Sequence, residues 1–479
     1  MTNTPTTNTP ETTEQIKRLV AAGCDIVRVT TATLKEVESL KIIKQNLSAA
    51  NINIPLVADV HYSPLVAEKA AMVADKVRIN PGNYLTDKTK EHYSDSDFIA
   101  AHQQITQNIT PLIQICKQHH TSLRIGVNWG SLSKRILYRY GNTATGMVAS
   151  ALEFIEILTA EGFEQFTLSL KASDVRIMQE ANVMLVREMI KRNSYFPLHL
   201  GVTEAGAGND GRIKSVAGIG ALLQLGIGNT IRVSLTENPE AEIPVAKKLL
   251  PYYNKEGVSS EALKKLSFHP VKLQKKIVEA VGHNKPLVVS SSGEKLADLH
   301  FNAGSLYLPS GKYIADSQDL KLTSIQSNNP GFESFLIDAT VRFSVDFLKN
   351  GAQAILLENP HLNTSTLTKL SFDILQGLGL RYSKTEYIAC PSCGRTQFNI
   401  MEQLKRVRQK TAGFKGLKIA VMGCMVNGPG EMAEADYGFT GSGKGTITLY
   451  RANTIVKKNI PEADAVDALL KLIKSDIQS

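Results

Sequence analysis

The stretch IACPSCGRTQ (388–397) sets Cys390 and Cys393 in a C-x-x-C pair, and thiolates at that spacing bind a metal or a cluster. Such a centre takes three or four ligands. Cys424, in GCMVNGPGE, is the third candidate, placed where an expected strand gives way to a loop. Histidine does not supply the fourth, because all ten histidines lie at or before His361. Cys24, in GCDIVRV, and Cys116, in PLIQICKQHH, read as small buried hydrophobes. An oxygen ligand or an open position remains. Glu431 follows Cys424 by seven residues across Asn-Gly-Pro-Gly. That turn chemistry folds the chain back and can return a carboxylate to the metal. A structural zinc site wants four Cys or His ligands, which three cysteines without a nearby histidine do not provide. Three thiolates on an Fe4S4 cube, with one iron left to a weaker oxygen ligand, fit better.

A second set of reactive residues falls at the ends of β-branched runs. DIVRVT (25–30), PLVADVHY (55–62), KVRINPGN (76–83), LRIGVNWGS (123–131), FTLSLKASD (166–174), PLHLGVTEAG (197–206) and NTIRVSLTE (229–237) carry them. They are Arg28, Asp59, His61, Arg78, Asn80, Asn83, Arg124, Asn128, Lys171, Asp174, His199, Glu204, Arg232 and Ser234. Side chains alternate along a strand, so Arg28, Arg78, Arg124 and Arg232 can share one mouth. Arginines and a lysine converging there would bind a diphosphate or two phosphates, since arginine matches phosphate oxygens bidentately. Glu204 and His199 are acid–base candidates. An anion-binding mouth beside an electron-carrying centre suggests reductive chemistry on a phosphorylated small molecule.

The elements that must position these residues follow from the pattern. Each run is followed by a helix-like stretch, such as LKEVESLKIIKQNL or VAGIGALLQLGIG. Strands alternating with helices predict βαβ units and a parallel sheet. Seven units suggest a (β/α)8 barrel over 1–250, one strand short. Residues 251–382, with PLVVSSS, AQAILLENP and the helical LIDATVRFSVDFLKNG, read as an inserted α/β domain. Residues 383–479 read as a small α+β domain holding three of the five cysteines, with strands at LKIAVMG and TITLYR and a closing helix at ADAVDALLKLIKS.

Two glycine-rich stretches are decoys. GAGNDG (206–211) matches a dinucleotide fingerprint but comes late in the barrel series, so it reads as a βα loop. GFTGSGKG (438–445) resembles a P-loop, but Gly445 replaces the required Ser or Thr, and a strand rather than a helix follows.

Composition bounds the partners. The chain has 479 residues, 43% hydrophobic, with a net charge of +9. The basic balance fits a mildly basic enzyme or a polyanionic partner. No arginine–aromatic cluster or basic run supports nucleic acid. No apolar run reaches the ~18 residues of a membrane span, so no membrane partner is expected. The first residues, MTNTPTTNTPETTEQ, carry neither a secretory signal nor the arginines of a transit peptide. Five cysteines in so long a chain are no disulfide framework and suit a reducing, cytoplasmic compartment.

The motifs CPSCGRTQFN, GCMVNGPGE, VADVHY, RINPGN, RIGVN, GVTEAG and IRVSL together resemble the 4-hydroxy-3-methylbut-2-enyl diphosphate synthase family. That family acts late in the methylerythritol phosphate route to isoprenoids. The resemblance covers about 1–250 and 383–479, and 251–382 resembles the extra domain of its long form. It implies one Fe4S4 cluster per chain, held by Cys390, Cys393, Cys424 and Glu431. It implies 2-C-methyl-D-erythritol 2,4-cyclodiphosphate as substrate, opened and reductively dehydroxylated with electrons from ferredoxin or flavodoxin. By motif match, Arg28, Arg78, Arg124, Lys171, Arg232 and Ser234 would hold the diphosphate. Glu204 would be the acid–base residue, with His199 and Asn128 near it. A bacterial cytoplasmic enzyme is implied, and a homodimer is one arrangement the resemblance allows. Family members carry further residues before the position of Met1, including a first barrel strand. That accounts for the count of seven, and a start codon assigned too late is the expectation. The competing readings are another iron–sulfur barrel enzyme with a different phosphorylated substrate, and a zinc-stapled nucleic-acid-binding module.

Overall fold

The strands that carry the cations are short, apolar and bounded by glycine, proline or asparagine. In the computed structural model, which describes residues 1–61, 63–85, 90–291, 294–426 and 428–478, they become parallel. They are β1 (Val27–Thr30), β2 (Leu56–Asp59), β3 (Lys76–Ile79), β4 (Ser122–Asn128), β5 (Phe166–Lys171), β6 (His199–Leu200) and β7 (Thr230–Ile231). β1 to β5 pair in sequence order, β6 pairs with β7, and a bridge from Leu168 to Leu198 joins the two groups. Every residue of β2 and β5 is buried, as expected where helices cover one face and barrel side chains fill the other. Seven strands among the described residues is the number of units expected above. The first residues run beside β1, where Thr2 N donates to Arg28 O at 3.0 Å.

Helices close each unit with ordinary end chemistry. Thr33 and Glu36 form a capping box on the helix Leu34–Ala49. Asp174, counted above at the rim, instead accepts from Arg176 N and Ile177 N as the cap of Val175–Lys191. Asn80 likewise accepts from Gly82 N and donates to Ser131 Oγ. Those two rim residues shape loops.

The segment after the barrel builds a mixed six-stranded sheet. Its strands are β8 (Leu287–Ser290), β9 (Leu299–Asn302), β10 (Ser305–Tyr307), β11 (Tyr313–Asp316), β12 (Leu322–Gln326) and β13 (Ala354–Glu358). Its helix Phe332–Asn350 lies along the barrel helix Gly208–Gln224. Phe335, Phe343 and Phe347 are fully buried in one core with the barrel. Gly220 permits the close approach: a Cβ there would stand 2.5 Å from Val341 Cγ2. Gln179 Nε2 donates to Ala217 O at 2.9 Å and Ser344 Oγ at 3.0 Å, stitching the two helices with buried polar bonds.

The last part is a five-stranded sheet of β14 (Glu386–Ala389), β15 (Lys418–Met422), β16 (Tyr437–Gly443), β17 (Thr446–Arg451) and β18 (Thr454–Pro461) in that order. Helices Ile400–Thr411 and Ala465–Gln478 cover one face. GFTGSGKG is the β16–β17 hairpin, so it cradles no nucleotide in the P-loop manner. Three junctions lock this part to the rest. Lys384 Nζ pairs with Asp210 at 2.7 Å and Asp373 at 2.6 Å, Arg408 pairs with Asp210 at 2.7 Å, and Lys214 pairs with Glu386.

Candidate active site at the barrel mouth

The cysteine sheet sits over the barrel mouth of its own chain. Ala389 N donates to Glu204 O at 3.3 Å, and Thr236 Oγ1 donates to Ala389 O and Cys390 O at 3.2 and 3.1 Å. The short helix Gly428–Glu431 lies against the loop after β4. Gly430 and Gly130 make that approach possible: a Cβ on Gly430 would stand 1.8 Å from Gly130 O. Asn427 of the Asn-Gly-Pro-Gly turn, and Tyr62 of VADVHY, lie outside the described residues.

One cavity results, and it gathers most of the residues expected from the sequence. Arg28, Arg78, Arg124, Asn128, Lys171, Glu204, Arg232 and Ser234 line it from the barrel, and Cys390, Cys393 and Cys424 from the opposite side. Glu431 reaches the same place through a hydrogen bond with Glu204 and by accepting from Thr203 Oγ1 at 3.2 Å. His199 adjoins them. It lines a second cavity that shares Arg28, Arg124 and Arg232 with the first; its Nδ1 lies 2.9 Å from Thr230 Oγ1, and its Nε2 is buried with no partner among the described residues.

The cations are crowded and short of counter-ions. Arg232 pairs with Glu242 at 3.0 Å. Asp59 Oδ1 faces Arg78 at 3.3 Å and Arg28 at 3.8 Å. Among the described residues, neither Arg124 nor Lys171 has a carboxylate within ion-pair distance. Burial, then Arg124 and Arg28, push the Lys171 ammonium well below its usual range. Burial, then Arg28 and Arg78, act the same way on Arg124. Uncompensated buried charge is expensive, so this cavity is built for an anion. Burial disfavours the Asp59 charge, yet Arg28 and Arg78, with His61 and Arg395, hold that carboxyl well below the usual carboxylate range.

The acids behave oppositely. Burial, then the Glu204 charge, pushes the Glu431 carboxyl well above its usual range, and burial raises Glu204 too. Two buried carboxyls in hydrogen-bond contact retain a proton between them. Glu204 also has a left-handed backbone, φ +49°, uncommon for a non-glycine residue. Its carbonyl bond to Ala389 pins that strained residue where the two halves meet.

The cysteine loop is tightly held. Gly423 N donates to Cys390 Sγ at 3.3 Å, Cys393 N donates to Thr396 Oγ1 at 3.0 Å, and Ser392 turns the chain with φ +65°. The donor set fits a cluster. Three cysteines line one cavity, and the Glu431 carboxyl is buried beside it against Glu204 and Thr203. No three His, Cys, Asp or Glu side chains among the described residues converge as on a single metal ion.

Sequence reasoning did not single out Thr203, Thr236 or Arg395. Arg395 had a signal, since it is the basic residue next to the C-x-x-C pair in CPSCGR.

A cation-lined barrel mouth under three cysteines has the form of a barrel enzyme for an anionic substrate. Residues 1–247 match the model described as the GcpE TIM-barrel domain, and residues 386–475 match the GcpE protein C-terminal domain. The chain belongs to the GcpE family. It is similar to the 4-hydroxy-3-methylbut-2-en-1-yl diphosphate synthase (flavodoxin) of Bacteroides fragilis strain YCH46, 39% identical with 99% of this chain and 92% of the relative covered. The proteins of the same name from Porphyromonas gingivalis and Chlamydia caviae are each 36% identical, over 99% of this chain and 94% and 93% of theirs.

Proposed function

We infer that this chain is an iron–sulfur oxidoreductase of isoprenoid biosynthesis. It opens the ring of 2-C-methyl-D-erythritol 2,4-cyclodiphosphate and removes a hydroxyl, giving 4-hydroxy-3-methylbut-2-enyl diphosphate. Two electrons and two protons enter and one water leaves. The observation that carries this reading is the pair of buried, uncompensated cations, Arg124 and Lys171, facing three cysteines across one cavity.

Arg28, Arg78, Arg124, Lys171 and Arg232, with Ser234, are assigned to the diphosphate. Their mutual repulsion is relieved when phosphate charge enters. Asn128 orients the substrate at the end of β4. Glu204 is assigned the proton that the departing hydroxyl takes up, since burial raises its carboxyl above the usual range. His199, with Nδ1 on Thr230 and Nε2 without a partner among the described residues, stays the second acid–base candidate beside the cations. Cys390, Cys393, Cys424 and Glu431 would hold one Fe4S4 cluster. Bound there, it would supply electrons and a Lewis-acidic iron with one displaceable carboxylate ligand.

The electron donor is taken to be reduced flavodoxin, the carrier in the relatives' names, or ferredoxin. The net charge of +9 favours association with an acidic carrier. No described helix is long and apolar enough to cross a membrane, and a cytoplasmic location belongs to this proposal. Both halves of the site meet within one chain, so a homodimer is not needed to complete it. The division into 1–250, 251–382 and 383–479 is supported by the matched spans. The test is anaerobic turnover of the cyclic diphosphate with a chemical reductant. Formation of the linear diphosphate, abolished in Glu204→Gln with cluster content intact, supports the assignment. Absence of product from a fully loaded chain refutes it.

A further inference from the structure

Every cation assigned above to the diphosphate comes from the barrel. Arg395 comes from the cysteine loop and lines the same cavity. Its Nη2 donates to Asp59 Oδ2 at 3.1 Å and to Asp59 O at 3.4 Å. The side chains of both are nearly enclosed, at 13% and 3% exposure. Asp59 divides its two oxygens. Oδ1 faces Arg78 and Arg28, and Oδ2 faces Arg395. One carboxylate therefore serves three guanidinium groups from two parts of the chain, and their surplus charge remains for a ligand. Arg395 Nε is buried with no partner among the described residues, a donor left over at the cavity.

We propose that Arg395 is a positioning residue that couples the docking of the cysteine loop on the barrel to anion binding in the mouth, through its shared counter-ion Asp59. With Arg395 docked, Asp59 is drawn toward the loop, and Arg28 and Arg78 are less fully neutralised. The mouth then holds an anion best with the loop docked, because Arg28 and Arg78 keep charge for the ligand. Without Arg395, Asp59 turns its whole charge on Arg28 and Arg78, and the loop loses its anchor. Lysine is a poor substitute, because one ammonium cannot reproduce the planar fork that reaches Oδ2 and the backbone carbonyl together.

This proposal rests on the reading of the mouth as a diphosphate site, and the test separates the two. Inorganic pyrophosphate binding is measured by calorimetry on the reconstituted full chain, with iron, sulfide and the electron paramagnetic resonance signal recorded for each variant. The variants are Arg124→Met, Arg395→Gln, Arg395→Lys, Asp59→Asn and the Asp59→Asn/Arg395→Gln double. Arg395→Gln is expected to weaken pyrophosphate at least tenfold and raise KM similarly, with iron, sulfide and signal unchanged. Arg395→Lys is expected to recover only part. In the Asp59→Asn background, Arg395→Gln is expected to change affinity less than threefold. Equal losses in both backgrounds would overturn the coupling, as would wild-type affinity in Arg395→Gln. Loss of iron and sulfide in both Arg395 variants would reduce Arg395 to a structural residue of the loop. Pyrophosphate binding that is absent from the wild type, or indifferent to Arg124→Met, would overturn the diphosphate site and this proposal with it.

Discussion

Arg395 Nη2 stands 3.1 Å from Asp59 Oδ2, although 336 positions of chain separate the two residues. That contact joins the loop after Cys393 to the end of β2 and fixes how the cysteines face the barrel cations. It also makes Asp59 the most contested carboxylate of the mouth.

The acid side of the stability profile reports on Asp59. Its folded-state pKa lies well below the unfolded value of about 3.9. A depressed carboxylate adds stability that is fully present above the unfolded pKa and is lost as pH falls through the folded one. Wild-type protein is expected to lose stability progressively below about pH 4, and Asp59→Asn to show a flatter decline. At neutral pH the variant is expected to be destabilised by about 3 kcal/mol, because three buried guanidinium groups lose their shared partner. Denaturant melts between pH 3 and 7 check both.

Arg124 and Lys171 are proposed to serve the ligand rather than the fold. Arg124→Met is expected to leave the melting temperature unchanged or raise it, since it removes an unpaired buried charge. KM is expected to rise about ten- to a hundredfold, the worth of a lost charge-assisted hydrogen bond of ~1.5–3 kcal/mol. A fall in stability with KM unchanged would assign Arg124 to the barrel's structure instead.

Glycine at 430 is needed for contact between the two halves. Gly430→Ala places a methyl where Gly130 O stands, so the turn bearing Glu431 must lift away. Turnover is expected to fall at least tenfold while the circular dichroism spectrum is retained. Gly413→Ala, with nothing within 4 Å of the added Cβ, is the matched control and is expected to behave as wild type.

Closure within one chain predicts failed complementation. Glu204→Gln and Cys424→Ser chains, mixed and refolded together, are expected to recover no turnover, because neither chain carries a complete site. Recovery would mean that the cysteine sheet of one chain caps the barrel of another.

Much of this site was legible because reactive residues were tied to strong local signals. The C-x-x-C pair, the turn before Glu431 and the cations at the ends of apolar runs each announce themselves within about ten residues. Depth in the barrel was less legible. His199 was expected beside Glu204; it opens the two-residue strand β6 and lines the adjoining cavity that shares Arg28, Arg124 and Arg232 with the mouth. No apolar run marks that limit. Asp174 and Asn80 looked like rim chemistry and proved to be loop caps, since the same side chains serve both purposes. Contacts such as Gly430 against Gly130, or Arg395 against Asp59, depend on how two sheets meet across hundreds of residues, and no local pattern encodes them.

The most direct test of the account is a count of iron, acid-labile sulfide and zinc per chain, on protein purified without oxygen and reconstituted. About four irons and four sulfides with little zinc, falling in Cys390→Ser, are predicted for a cube held by Cys390, Cys393, Cys424 and Glu431. Stoichiometric zinc without sulfide would contradict the reductase assignment and leave Arg124 and Lys171 facing a structural metal site.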